Sequence, residues 1–283
     1  MSENLLTLTV LDPSLDHPEG VAWGPDGKVY AGGEAGQVYR MGVDGTGLEM
    51  FANTGGFVLG LAHDAAANTY LCDMGRKAVL KVTPQGEVSV YSQGTSEQAM
   101  RLPNYPVFDA DGNLYVSDSG DWGEQTGWIW RITPHGQTEI WDREAKGFTN
   151  GMCLGPDGQS LFVVESSPPL ISRLPILPDG SAGPREVVVT LPRTVPDGVA
   201  FDVEGRLLIS LYNPNIIYRY DLSTQTLVTL YDDWEQLKLI APTNIAFGGA
   251  DMKTLLIANL CGWNLVSAPM DVAGLPVQYP NLS

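Results

Sequence analysis

Positive charge is scarce in this chain: 16 Lys and Arg stand against 33 Asp and Glu in 283 residues, a formal net charge of −17. Such a chain repels phosphate backbones and anionic lipid, so neither nucleic acid nor a membrane surface is an expected partner. Basic residues are missing from the start as well. None precedes Lys28, and MSENLLTLTV carries no long apolar segment, so no signal peptide is expected. No apolar run approaches the length of a membrane span. Cysteine is sparse: Cys72, Cys153 and Cys261 are odd in number and far apart. That excludes a disulfide framework or a zinc cluster and predicts reduced, mostly buried thiols in a cytoplasmic protein. Three histidines and no G-x-S-x-G elbow leave little room for a serine triad, and no glycine loop is placed to cradle a phosphate.

Glycine and proline are plentiful, 32 and 20, as in a protein of short strands and tight turns. They belong to a phrase that returns six times: EGVAWGPDG from Glu19, LGLAHDAAA from Leu59, NYPVFDADG from Asn104, NGMCLGPDG from Asn150, DGVAFDVEG from Asp197 and TNIAFGGAD from Thr243. By subtraction, the steps between copies are 40, 45, 46, 47 and 46 residues. A period of this size marks a blade array. The third period shows its content: strands at Tyr105–Phe108, Leu114–Ser117, Trp128–Ile132 and Thr138–Trp141, separated by Asp-Gly and Pro-x-Gly turns. Four strands per period and six periods predict an all-β, six-bladed propeller of four-stranded antiparallel blades, with residues 1–283 as one domain. Closure needs a strand from one terminus, because an open array would expose an edge. Leu6–Leu11 is suited to lie beside Leu265–Ala268, with Pro276–Tyr279 as the competing segment. Only Trp234–Ile240 has a mildly helical pattern.

In a propeller the first strand of each blade lines the central channel. The six lead residues therefore gather at one mouth, and the Asp-Gly turns fall on the opposite face. Loops after each second strand return to the mouth, which makes Asp118, Trp122, Tyr212, Asn213 and Trp263 candidate walls. Glu19, Asn104, Asn150 and Asp197 place oxygen donors on four blades, while Leu59 and Thr243 hold the other two positions. Two carboxylates and two amides suit one hard divalent cation, calcium first, with magnesium and manganese behind it and zinc or iron(II) last. Turn chemistry alone accounts for any single Asp or Asn at such a position. Four at one register call for another explanation.

The ordered set PEGVAW, RLPN, FTNG and VPDGVAF resembles the gluconolactonase, regucalcin (senescence marker protein) and luciferin-regenerating family across essentially the whole chain. The resemblance implies a propeller with one cation at the channel mouth, often calcium. It implies Glu19, Asn150 and Asp197 as ligands, Asn104 at or next to the metal, and Arg101 as a substrate-binding residue. Tyr105 stands where the family often has Asp, and Leu102-Pro103 separates Arg101 from Asn104. Tyr105 and Trp122 join Arg101 and Asn104 as expected substrate contacts. The reaction expected is metal-assisted opening of a sugar or other small lactone, with Asp197 as base or nucleophile and Glu19 as the fallback. Phosphotriester or aryl-ester hydrolysis at the same cation, a non-catalytic calcium-binding propeller, and a metal-free strictosidine-synthase-like condensation are the alternatives. The expected partner is a small molecule, and the expected state a monomer or weak homo-oligomer.

Overall fold

The computed structural model describes residues 4–282. Short β-rich runs punctuated by Gly turns fold into 24 strands in six four-stranded antiparallel sheets. Strand β1 is Thr9–Asp12. Blade one holds β2–β5 (Val21–Trp23, Val29–Gly32, Gln37–Met41, Glu49–Asn53), and blade two β6–β9 (Val58–His63, Thr69–Asp73, Ala78–Val82, Val88–Ser92). Blade three holds β10–β13 (Pro103–Phe108, Leu114–Asp118, Trp128–Ile132, Thr138–Asp142), within two residues of the strands expected from sequence. Blade four is β14–β17 (Thr149–Leu154, Ser160–Ser166, Pro169–Pro175, Glu186–Thr190), and blade five β18–β21 (Val195–Phe201, Arg206–Asn213, Ile216–Asp221, Thr226–Asp232). Blade six joins β22–β24 (Pro242–Gly248, Thr254–Asn259, Asn264–Pro269) to β1, with Thr9 opposite Ser267 and Val10 opposite Val266.

Pro276–Tyr279 forms no strand. It belongs to a tail that crosses the face opposite the mouth: Leu275 N donates to Phe201 O, Tyr279 Oη to Trp23 O at 2.6 Å, and Ala65 N to Pro280 O. The tail thereby ties blades five, one and two together. Trp234–Ile240 is a series of turns and bends. The Asp233 carboxylate accepts from the backbone N–H groups of Leu237, Lys238 and Leu239 at 2.7–3.1 Å, the donors a helix would have used. Apart from a 3-10 turn at Leu260–Gly262, the described residues contain no helix, and none therefore long and apolar enough to cross a membrane.

Apolar residues alternate along the strands and meet between blades. Between blades two and three, Leu59, Tyr70, Met100, Phe108, Leu114 and the fully buried Trp130 form one cluster. Truncating such an aromatic to alanine costs about 3–5 kcal/mol. The cysteines divide: Cys72 is buried, Cys153 half-buried, and Cys261 exposed on the 3-10 turn, which corrects the expectation of mostly buried thiols.

The innermost hairpins share one irregularity. In blades two to six the pairing register shifts between Val58 and Leu61, Pro103 and Pro106, Thr149 and Met152, Pro196 and Val199, and Pro242 and Ile245. In blade one the ladder starts only at Val21. Every lead residue and its successor therefore lie where the ladder is broken, which re-aims side chains. Backbone N–H groups released there find other partners: Tyr105 N donates to Ser117 Oγ and Gly198 N to Ser210 Oγ, each at 3.0 Å.

Candidate metal centre at the channel mouth

These breaks in the ladders, and the late start of β2, bring Glu19, Asn104, Asn150, Asp197, Thr243 and Leu59 to the wall of one cavity of about 440 Å³. The four oxygen donors are 4–6% exposed. Their orientation follows from two serines. Ser119 Oγ donates to Thr149 O at 2.6 Å and Ser166 Oγ donates to Pro196 O at 2.7 Å. Each hydroxyl has thus used its proton and can only accept. Ser119 Oγ accepts Asn104 Nδ2 at 3.1 Å, and Ser166 Oγ accepts Asn150 Nδ2 at 3.3 Å. Holding the amide nitrogens leaves the amide oxygens free. Asn104 Oδ1, Asn150 Oδ1 and Asp197 Oδ1 are buried and have no hydrogen-bond partner. Desolvated oxygens on three neighbouring blades are costly unless something positive meets them.

Asp197 Oδ2 accepts from Asn150 Nδ2 at 3.2 Å. Burial pushes the Asp197 carboxyl up to about 7, and the Asn150 hydrogen bond opposes that rise. Glu19 is pushed well above the carboxylate range by burial and then by the nearby Asp197 charge, with the hydrogen bond from Asn244 offsetting part. Two dry carboxylates within each other's field, beside two orphaned amide oxygens, fit a hard divalent cation.

Asn244 was not singled out in the sequence. It follows Thr243, one residue past the lead position, where four copies have glycine (Gly20, Gly60, Gly151, Gly198). Its Nδ2 reaches Glu19 Oε2 at 3.2 Å, and its Oδ1 is a fourth buried oxygen without a partner. The glycines make the room. A Cβ on Gly151 would lie 2.5 Å from Asp197 O and 3.0 Å from Asn244 Oδ1, and one on Gly20 only 2.1 Å from Leu59 O. Tyr105 fills the same register in blade three; a Cβ on Gly60 would lie 2.5 Å from its Cδ2. Its side chain lines a second cavity, of about 290 Å³ at the opposite end of the channel, and does not line the mouth.

The remaining expected residues are distributed as follows. Trp122, Tyr212 and Asn213 line the mouth. Arg101 does not: its Nη2 donates to Asp121 Oδ2 at 2.7 Å and Thr126 Oγ1 at 3.3 Å, and its guanidinium lies 5.2 Å from the Trp128 ring centre. Asp118 is fully buried under the incoming loop, accepting from Arg101 N, Leu102 N and Trp130 Nε1. Trp263 is exposed and packs on His17, ring centres 4.2 Å apart. His17 Nδ1 lies 2.9 Å from both Asp16 Oδ1 and Glu34 Oε2, and these three residues form a further cluster of metal-ligating types. There Nδ1 already faces a carboxylate oxygen of each neighbour, so contacts within the cluster account for the group.

Residues 34–260, most of the chain, match the model of the SMP-30/Gluconolactonase/LRE-like region. The chain belongs to this family. Residues 3–41 also match a strictosidine synthase-like N-terminal model. A 6-deoxy-6-sulfogluconolactonase of Pseudomonas putida is 30% identical over 114 residues, 39% of this chain and 38% of that protein. An uncharacterized protein of Sulfolobus acidocaldarius is 30% identical over 140 residues, 46% of this chain and 49% of its own. The chain thus spans half or less of the length of these curated relatives. Among solved structures, a gluconolactonase of Xanthomonas campestris superposes with a TM-score of 0.80 at 22% identity, covering 94% of this chain and 91% of that one. The calcium-binding protein regucalcin of Agrobacterium tumefaciens superposes with a TM-score of 0.80 at 18% identity, covering 96% and 97%. At these identities the structural likeness carries the propeller fold. What the SMP-30/Gluconolactonase/LRE-like chain does at its mouth rests on its own side chains.

Proposed function

We propose that this chain is a metal-dependent hydrolase that opens a small lactone at the channel mouth. The observation that carries the reading is the convergence of Asn104 Oδ1, Asn150 Oδ1 and Asp197 Oδ1, all buried and without hydrogen-bond partners. Glu19, Asn150 and Asp197 would hold one divalent cation, with Asn104 beside it. A donor set of carboxylates and amides, without imidazole or thiolate, favours calcium over zinc. When bound, the cation supplies Lewis-acid polarisation of the lactone carbonyl. Asp197 acts as general base through Oδ2, which accepts one hydrogen bond from Asn150 Nδ2 and keeps a lone pair for the proton of the attacking water, while Oδ1 would face the cation. Glu19 is the second acceptor, its Oε2 steadied by Asn244. Trp122 and Phe148 line the wall of the mouth beside these groups. Family membership and the named lactonase among its relatives support the reaction class, and the named calcium-binding relative supports the cation.

The test is a panel of lactones, aryl esters and a phosphotriester, assayed with calcium, magnesium and manganese and again after chelation. Lactone hydrolysis should fall by about 10³-fold on chelation and in Asp197→Ala or Asn150→Ala, an effect of several kcal/mol. Cation-dependent thermal stabilisation should disappear in the same variants. Undiminished hydrolysis after chelation contradicts the reading. Stabilisation by a cation with no turnover of any substrate would leave a non-catalytic binding propeller.

A further inference from the structure

The walls of the mouth carry chemistry of their own. Of fifteen lining residues, nine are aliphatic or aromatic, among them Phe57, Met74, Leu102, Trp122, Phe148 and Leu260. These six remain partly or well exposed, Trp122 at 57%, so the concavity presents apolar surface to solvent. Phe148 is held there by a left-handed backbone, φ +53°, which a phenylalanine adopts only under constraint. Its ring meets Trp122 edge-on with centres 4.9 Å apart.

Donors for a polyhydroxylated ligand are few. Outside the four oxygen donors the lining offers Thr243, Asn213 and the polar tips of Tyr212 and Trp122. Thr243 Oγ1 already donates to Glu19 O at 2.7 Å. Arg101, the cation nearest in sequence to Asn104, is paired with Asp121 and stacked on Trp128 away from the cavity. A sugar lactone entering this mouth would exchange several water hydrogen bonds for carbon, a net loss. An alkyl or aryl substituent would instead cover exposed aromatic surface.

We infer that the mouth selects lactones bearing an alkyl or aryl tail over polyhydroxylated ones. The lactone ring faces Glu19, Asn104, Asn150 and Asp197, and the tail lies against Phe57, Met74, Leu102, Trp122, Phe148 and Leu260. This rests on the hydrolase reading for the ring's position, and the apolar wall is independent of it.

The experiment has two arms. In the first, γ-lactones with side chains of increasing length are compared with glucono-δ-lactone as substrates of the cation-loaded protein. The inference predicts kcat/KM rising roughly threefold per added methylene until the cavity fills. It also predicts at least a 100-fold advantage of the hexyl lactone over the polyol. Trp122→Ala and Phe148→Ala should each raise KM for the hexyl lactone at least tenfold while changing kcat little. In the second arm, non-hydrolysable alkyl and polyhydroxylated lactams are titrated calorimetrically into stripped and loaded protein; the alkyl lactam should bind at least tenfold tighter. Equal or better turnover of the polyol, no dependence on chain length, or no preference among the lactams overturns the inference. Alkyl-lactam binding without turnover of any lactone upholds the apolar mouth and removes the hydrolase reading instead.

Discussion

At the residue scale, the site depends on side chains that touch no ligand. Ser119 and Ser166 turn the Asn104 and Asn150 amides by spending their protons on the next blade's backbone. Partners of this kind typically set affinity by ten- to a hundredfold. Ser166→Ala should therefore weaken the proposed calcium binding about tenfold, measured by calorimetry, with the melting temperature of the cation-free protein changed by no more than a few degrees. His63 illustrates a different residue-scale cost. It ends β6 fully buried, with Nδ1 3.2 Å from Thr69 Oγ1 and Nε2 unpartnered. Burial lowers it to about 4, against opposing pulls from Asp26 and Asp64. The folded protein thus favours the neutral ring, while the unfolded chain takes up a proton below about 6.5. Stability is complete above that pH and is lost as pH falls from about 6.5 towards 4, by about 3 kcal/mol. Phe108, Phe201 and Phe247 occupy the same register in other blades. His63→Phe should flatten that part of the pH–stability curve in denaturant titrations; an unchanged slope would assign the acid sensitivity elsewhere.

At the scale of the strand and its loop, a buried acid recurs at or near the end of second strands. Asp73, Asp118 and Glu165 each accept two or more backbone N–H groups of adjoining loops. Asp118 also takes Trp130 Nε1 at 3.0 Å. All three of its partners are donors, so an amide there would oppose N–H to N–H. Asp118→Asn should cost about 3 kcal/mol and lower the melting temperature by roughly 6 °C; a shift under 1 °C would contradict this role. Such devices explain what could be read in advance. The six-fold phrase and its Gly turns made the blades legible, and the lead register made Glu19, Asn104, Asn150 and Asp197 legible, because each departs from a repeat. Asn244 stayed hidden because it stands one residue off that register, and Ser119 and Ser166 because a serine at or just past the end of a second strand carries no signal of its own. Asp118, expected at the mouth, lies under the loop, since its acceptors are needed by the backbone of Arg101 and Leu102. Where Arg101 points is set by Asp121 and Thr126, twenty and twenty-five residues later, a pairing that spacing alone does not reveal.

At the scale of the whole molecule, the propeller converts a broken symmetry into a site. Six near-equivalent strands meet at one axis, and the breaks at their entries present six side chains to a single mouth. Asn104, Asn150 and Asp197 stand on three consecutive blades, while Leu59 and Thr243 flank Glu19 on the blades to either side of it. Closure by β1 and the tail across the opposite face hold the blades so that these groups keep their separation. The account stands on one cation at that mouth being necessary for turnover. Its most direct test is reactivation of cation-stripped protein by stepwise addition of calcium, following hydrolysis of an alkyl lactone. Activity should return in proportion and level off at one equivalent per chain, with no return in Asp197→Ala. Full activity in the stripped protein, or recovery in that variant, would contradict the account.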